Sequence, residues 1–328
     1  MGDHVNVVVI GHVDAGKSTT CGSILLGTGA IDKHTIEQHK KEAIRRKCES
    51  WYLAFLMDTT EEERAKGNTM DVGSAKFSTP TRRFTLLDAP GHKDYVPRMI
   101  SGASHADVGV LVVSANKGEF ESGFEKQGQT REHAILALSL GIRKLIVAVN
   151  KMDTCGWSRE RFNYIMKQLI PFLRECGYRV KKDVTFIPIS SILGAGVVRP
   201  SGYDWCPMSL VQLLETMEME HRDAEAPLRV SVVDVTTDGI SAKVRNGTLR
   251  VNETVCVSPT GTVALVESIE IDGRTVDSAR PGENVSIKVT GCKVGDILSD
   301  VRFGKKAFKA MIRVVDAKYF LVSGLGCV

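Results

Sequence analysis

Residues 11–18, GHVDAGKS, place two glycines, a lysine and a serine at the spacing of a phosphate-binding loop. Backbone N–H groups of such a loop wrap a polyphosphate, and a helix N-terminus behind it adds a favourable dipole. Lys17 can reach the outer phosphates and the Ser18 hydroxyl can ligate Mg²⁺. The run Gly11, His12, Val13, Asp14, Ala15, Gly16, Lys17, Ser18, Thr19 is therefore expected to face a nucleoside triphosphate. Downstream, Asp88-Ala89-Pro90-Gly91 offers a carboxylate that can hold Mg²⁺ through water and a Gly91 amide that can sense a γ-phosphate. His92 follows directly, where an attacking water would lie in line with that phosphate. Thr69 can ligate Mg²⁺ while the γ-phosphate is present, and a segment held that way relaxes after hydrolysis. Lys17, Thr69, Asp88 and His92 are the expected catalytic group, with Ser18, Thr69 and Asp88 as the Mg²⁺ set.

The base is read elsewhere. Asn150-Lys151-Met152-Asp153 presents an acceptor-only carboxylate at Asp153, which can take both N1–H and N2–H₂ of guanine. Adenine offers the wrong pattern, and polar recognition of this kind discriminates by orders of magnitude. Asn150 can tie neighbouring loops and the Lys151 stem can lie on the base. Ser190, Ser191 and Ile192 can support the base from the other side. Together these residues predict a guanine-nucleotide switch that binds GTP, GDP and Mg²⁺, rather than a metabolic ATPase.

Such residues must sit at the carboxyl ends of parallel strands. Apolar runs at 5–10, 84–87, 108–114, 145–150 and 184–189 read as buried strands, and every motif follows one of them. Helical patterns near 18–26, 132–140, 158–176 and 208–221 alternate with these runs, as in a sheet with crossover helices. After Ala226-Pro227 the pattern changes to short β-branched runs at 228–235, 254–257, 263–271 and 285–289, broken by Gly, Pro, Asn and Asp. That is the spacing of a small barrel. A run at 308–315 restarts the pattern. The expected fold class is α/β, a P-loop domain with a mostly parallel sheet, followed by a β-barrel and the start of a second. The expected bounds are 1–224, 225–304 and 305–328.

Composition limits the alternatives. A net charge of +4 permits contact with RNA without demanding it. The basic residues of 33–47 are interleaved with Asp32, Glu37 and Glu42, which reads as a solvated helix face. Eight scattered cysteines without a Cys-x-x-Cys pair point away from a zinc site and a disulfide framework. No run reaches membrane-spanning length, and the Met1-Gly2-Asp3-His4 start lacks a signal core. A cytoplasmic protein without a membrane partner, acting as a monomer, is expected.

The phrases VVVIGHVDAGKST, DAPGHKDYVPRMI, GQTREH, VNKMD and PGENV resemble the translational GTPases of the eukaryotic elongation-factor and release-factor family. The resemblance covers almost the whole chain. It implies a nucleotide domain followed by two β-barrels, and work on the ribosome, which would place His92 against the hydrolytic water. Pro97 and the segment ESGFEKQGQTREH look like the branch serving termination and ribosome rescue, rather than the branch carrying aminoacyl-tRNA. WYLAFLMDT and ETMEMEHRDAEAP favour the termination side, whereas Lys93-Asp94 and TMDVG are more like the rescue side. The implied partner is a tRNA-mimicking, stop-codon-reading release factor, or its rescue counterpart. Asn68 departs from the apolar residue of the tRNA carriers, and with Val13 it is expected to form a leaky or rearranged gate before His92.

Overall fold

The computed structural model describes residues 4–45, 49–57, 69, 72–92, 95, 99–100, 103–125, 128–219, 222–236, 239–258, 260–271, 273–289, 291–293 and 296–300. The chain divides into two compact units, Met1–Glu218 and Met219–Val328. Asn68, Pro97, Lys126 and the expected third segment 305–328 lie outside the described residues.

The first unit is built on a six-stranded sheet, ordered β2-β3-β1-β4-β5-β6. Its strands are β1 (His4–Gly11), β2 (Gly73–Ser78), β3 (Arg83–Asp88), β4 (Val108–Ser114), β5 (Lys144–Asn150) and β6 (Val184–Pro188). The strands from β3 to β6 run parallel, and β2 alone is antiparallel at the edge. Central β1 and β4 are buried almost throughout, which is why they read as continuous β-branched runs rather than alternating ones. Edge strand β2, GSAKFS, alternates buried and exposed positions and carries only one large apolar residue, so the sequence pattern missed it.

Helices cover the sheet: α1 (Lys17–Gly27), α2 (Lys33–Arg45), α3 (Glu119–Phe124), α4 (Gln129–Ser139), α5 (Arg159–Cys176), α6 (Val180–Asp183) and α7 (Leu210–Thr216). One core joins Ile10, Leu111, Val113 and Val147 of the strands to Ala134 of α4 and Ile165 and Leu169 of α5. Helix α5 starts where Ser158 accepts a hydrogen bond from the Arg161 amide at 3.2 Å, and it stops at Gly177, whose φ of 108° closes the end. Helix α7 is shorter than the pattern at 208–221 predicts. The Arg82 guanidinium donates to the carbonyls of Leu214 (3.0 Å) and Met217 (2.7 Å), so the orphan acceptors of the last turn are satisfied there.

The second unit is antiparallel. Eight of its strands run in the order β11-β10-β16-β7-β8-β15-β12-β13. They are β7 (Arg229–Thr236), β8 (Gly239–Asn246), β10 (Thr254–Ser258), β11 (Thr262–Leu265), β12 (Ser268–Ile271), β13 (Arg274–Val276), β15 (Asn284–Lys288) and β16 (Ile297–Asp300), while the short strands β9 (Leu249–Arg250) and β14 (Ser278–Ala279) pair with each other. Laid flat, such a sheet would be roughly 35 Å wide. Ala264 of β11 and Ile269 of β12, six strands apart across the sheet, nevertheless share one core with Val232, Ala242 and Val257. The sheet therefore curls round that core as an open half-barrel. The expected run at 263–271 is two strands, separated at Val266 and Glu267.

Candidate functional site

Strand β1 delivers the chain into the glycine-rich loop at Gly11 (φ 144°), where an added Cβ would overlap the Val112 carbonyl oxygen of β4. Gly16 (φ 93°) turns the loop into α1, and a Cβ there would overlap the Asn150 amide. Asp14 between them holds a left-handed φ of 58°. Space and backbone conformation together impose the glycine spacing read from the sequence.

Val13, Asp14, Gly16, Lys17, Ser18 and Thr19 line a cavity of about 290 Å³. Gly11 lies behind it, and His12 and Ala15 face a second cavity of about 270 Å³ on the other side of the loop. Lys17 is buried, and its ammonium donates to the His12 carbonyl at 2.9 Å. Burial lowers its pKa, while the Asp88 and Asp14 carboxylates oppose that shift. The Ser18 and Thr69 hydroxyls are 3.0 Å apart, so two of the predicted Mg²⁺ ligands meet. Asp88, at the end of β3, is fully buried behind the cavity rather than on its wall. Gly91 and His92 do line it. A Cβ on Gly91 would overlap the Lys17 ammonium and come within 3.1 Å of the Val13 amide, so the loop after β3 rests directly on the phosphate loop. His92 is half-buried, its ring 6.0 Å from that of Tyr95.

The same cavity is lined by Asn150, Lys151, Asp153, Ser191 and Ile192. Asn150 joins three loops: its amide donates to Ala15 O at 2.9 Å, and its carbonyl accepts from the Ser191 amide and hydroxyl at 3.0 Å each. The Ser191 hydroxyl is also 2.7 Å from Thr20 of α1. Ser190 does not reach the cavity. Its hydroxyl accepts from Leu193 N at 3.4 Å and its amide pairs with Ala195, so it builds the turn that presents Ser191. Lys151 sits at a left-handed φ of 62°.

Three lining residues have no counterpart in the sequence reading: Trp51 and Ala54, from the 3-10 turn Glu49–Leu56, and Thr154. Nothing local in the ESWYLAFL run says that it folds back beside the phosphate loop.

Behind the loop, the first turns of α4 supply two acceptors. His133 Nδ1 takes the Gly11 amide at 3.0 Å and Gln129 Oε1 takes the Val13 amide at 3.4 Å. Burial, with the charges of Lys17 and His12, pushes His133 down to about 3. It is thus neutral at physiological pH, as an acceptor of that bond must be.

Comparison with known proteins matches residues 2–241 to the family model described as the elongation factor Tu GTP binding domain. The eukaryotic peptide chain release factor GTP-binding subunit of Kluyveromyces lactis is 42% identical over 346 residues, covering 99% of this chain and 49% of that protein. Its counterpart from Candida albicans is 42% identical with similar coverage. The chain spans about half the length of these curated relatives. Among solved structures, sup35 complexed with GDP is 36% identical over 92% of this chain and 67% of that one, with a TM-score of 0.51. The GTPase-like domain of S. cerevisiae Ski7 bound to GTP has a TM-score of 0.69 at 19% identity and covers 91% of this chain and 75% of that one, a likeness of fold.

Proposed function

The chain belongs to the family of the elongation factor Tu GTP binding domain, and from that premise we propose that it hydrolyses GTP in translation termination, as the GTP-binding partner of a stop-codon-reading release factor. One observation carries the reading. A single cavity is lined both by Lys17, Ser18, Thr69, Gly91 and His92 and by Asn150, Lys151 and Asp153. The first set suits a triphosphate and the second suits guanine.

The donor set also fits Mg²⁺. The two close hydroxyls and the buried carboxylate are hard oxygen donors, and among the described residues no cluster of His, Cys, Asp and Glu forms an all-protein cage. Mg²⁺ keeps waters and phosphate oxygens in its shell, so few protein ligands suffice. Ser18 and Thr69 would hold it directly and Asp88 through water. When bound, it neutralises charge on the phosphates.

Lys17 and the loop amides stabilise charge on the transferring phosphoryl group. His92 orients the water, and loss of the γ-phosphate frees the Thr69 segment. In this reading residues 1–224 are the GTPase domain and 225–304 the half-barrel, working with the ribosome in the cytosol. The named relatives favour release over rescue or elongation.

The test is direct. Guanine nucleotides should displace a fluorescent GDP analogue from the chain while adenine nucleotides do not. GTP turnover should rise with ribosomes and release factor together. Preference for the rescue protein or for aminoacyl-tRNA over the release factor would move the function to rescue or to elongation.

A further inference from the structure

The turn after β4 carries chemistry that the nucleotide motifs leave unused. Glu119, at the start of α3, is a hub. Its Oε2 accepts from Lys151 Nζ and from the Ser114 hydroxyl, both at 2.7 Å, and its Oε1 accepts from the Asn116 amide at 3.0 Å. Asn116 Oδ1 in turn accepts from the Thr154 hydroxyl. Arg161 of α5 fastens the turn from below, donating to Ala115 O at 2.7 Å, Asn116 O at 3.1 Å and the Glu121 carboxylate at 2.9 Å. Partial burial pushes the Glu119 carboxyl up, but hydrogen bonds from Lys151, Asn116 and Ser114 outweigh it and hold the group at about 2. Glu119 is thus a permanent anion at working pH.

Glu119 does not line the nucleotide cavity, whereas Lys151 and Thr154 do, on either side of Asp153. The Lys151 backbone is fixed in a left-handed conformation, so the remaining freedom of its stem is rotameric. A lysine stem released into water samples many rotamers, and holding one costs entropy. The carboxylate that removes that freedom is 32 residues away in sequence, at the start of α3.

We propose that Glu119 is a positioning residue for the guanine site: it clamps the Lys151 ammonium, and through Asn116 the Thr154 hydroxyl, so that one wall of the base slot is set before nucleotide arrives. The inference deepens the guanine-nucleotide reading and rests on it. Glu119 acts through Lys151 and touches no phosphate group. Its loss therefore weakens nucleotide retention and raises KM, with kcat of the loaded protein nearly unchanged.

The experiment uses the 328-residue chain and a fluorescent GDP analogue. Glu119→Gln keeps the side-chain shape and an acceptor oxygen but removes the charge. It should raise the dissociation rate about fivefold at low salt, the size expected of a part-exposed charge pair. Lys151→Met should give a similar rise, and Glu119→Gln added to Lys151→Met should change nothing further. High salt should speed dissociation from the parent and leave the Glu119→Gln rate almost flat. An unchanged rate in Glu119→Gln, or two effects that multiply, would overturn the clamp. The latter would assign Glu119 only to holding its own turn. If Glu119→Gln does not fold, Lys151→Met alone decides by its dissociation rate and salt response. Equal binding of guanine and adenine nucleotides by the parent would instead remove the guanine reading itself.

Discussion

The two ends of the cavity are held in different ways. At the phosphate end the constraints are steric and buried. Gly11 and Gly16 leave no room for a Cβ, Lys17, Asp88 and His133 are out of water, and Gly91 lies against the Lys17 ammonium. At the base end, side chains that solvent partly reaches do the holding: Lys151 with Glu119, and Thr154 with Asn116. Of the residues lining that end of the cavity, Asn150 and Ser191 are buried. A phosphate is recognised by charge and backbone amides, which any well-placed loop supplies. A base is recognised by direction, which needs side chains anchored one by one. The phosphate end should therefore tolerate salt, whereas the holding of the base end should weaken in it.

The largest break in that comparison is Gly16→Ala. A left-handed alanine costs about 1–2 kcal/mol before any overlap, and here the methyl also displaces the Asn150 amide that ties the loops. Nucleotide binding should be lost, roughly a hundredfold or more in Kd, at any salt concentration. A titration with labelled GDP at low and high salt checks both parts. At the other end, Asp153→Asn exchanges an acceptor-only carboxylate for an amide that can donate. Guanine affinity should fall about a hundredfold, since a hydrogen-bonding site rejects a mismatched partner strongly. Xanthine, which offers a carbonyl in place of the exocyclic amine, should gain, and competition by the two nucleotides reads this out. Asn150→Ala bridges the two ends. It leaves Ala15 O and Ser191 N buried without their partner, so the first unit should lose about 2 kcal/mol. That is roughly 4–8 °C in Tm for a unit of this size, seen without any nucleotide.

The same contrast explains what could be read from the sequence. The phosphate loop was legible because its constraints are local: glycine spacing, a β-branched run before it and a helix after it. The strands ending at Gly11, Asp88, Ser114 and Asn150 announced themselves as continuous apolar runs, since they are buried on both faces. What was missed depends on distant partners. Edge strand β2 has too little apolar surface to show a pattern. Helix α7 was overextended because its stop is set by Arg82, more than 130 residues away. The serine pair after β6 reads as two equivalent residues, yet only Ser191 faces Asn150, and that depends on a turn closed by Ala195. Trp51 enters the cavity wall through a 3-10 turn whose packing on α1 no local pattern reports.

Acid separates the two ends by the order in which they fail. His133 is held at about 3 in the folded chain, against an ordinary 6.5. The unfolded chain therefore takes up the proton first, and the stability of the phosphate end is complete above pH 6.5. It erodes as pH falls from 6.5 towards 3, by up to about 1.4 kcal/mol per pH unit. His12, also lowered by burial and by Lys17, acts in the same direction. Glu119 has the opposite sign of charge: its carboxyl is held at about 2 against 4.5, so its contribution survives to pH 4.5 and is lost only below that. Between pH 7.5 and 5.5 the decline in Tm should thus draw on the histidines and not on Glu119. His133→Asn supplies an uncharged acceptor for the Gly11 amide and removes one titrating group. Its Tm should fall less than that of the parent over this range, while Glu119→Gln should follow the parent's slope. Equal slopes for parent and His133→Asn would mean that the bond from Gly11 to His133 does not couple the phosphate loop to protons, and the difference between the two ends would then be steric alone.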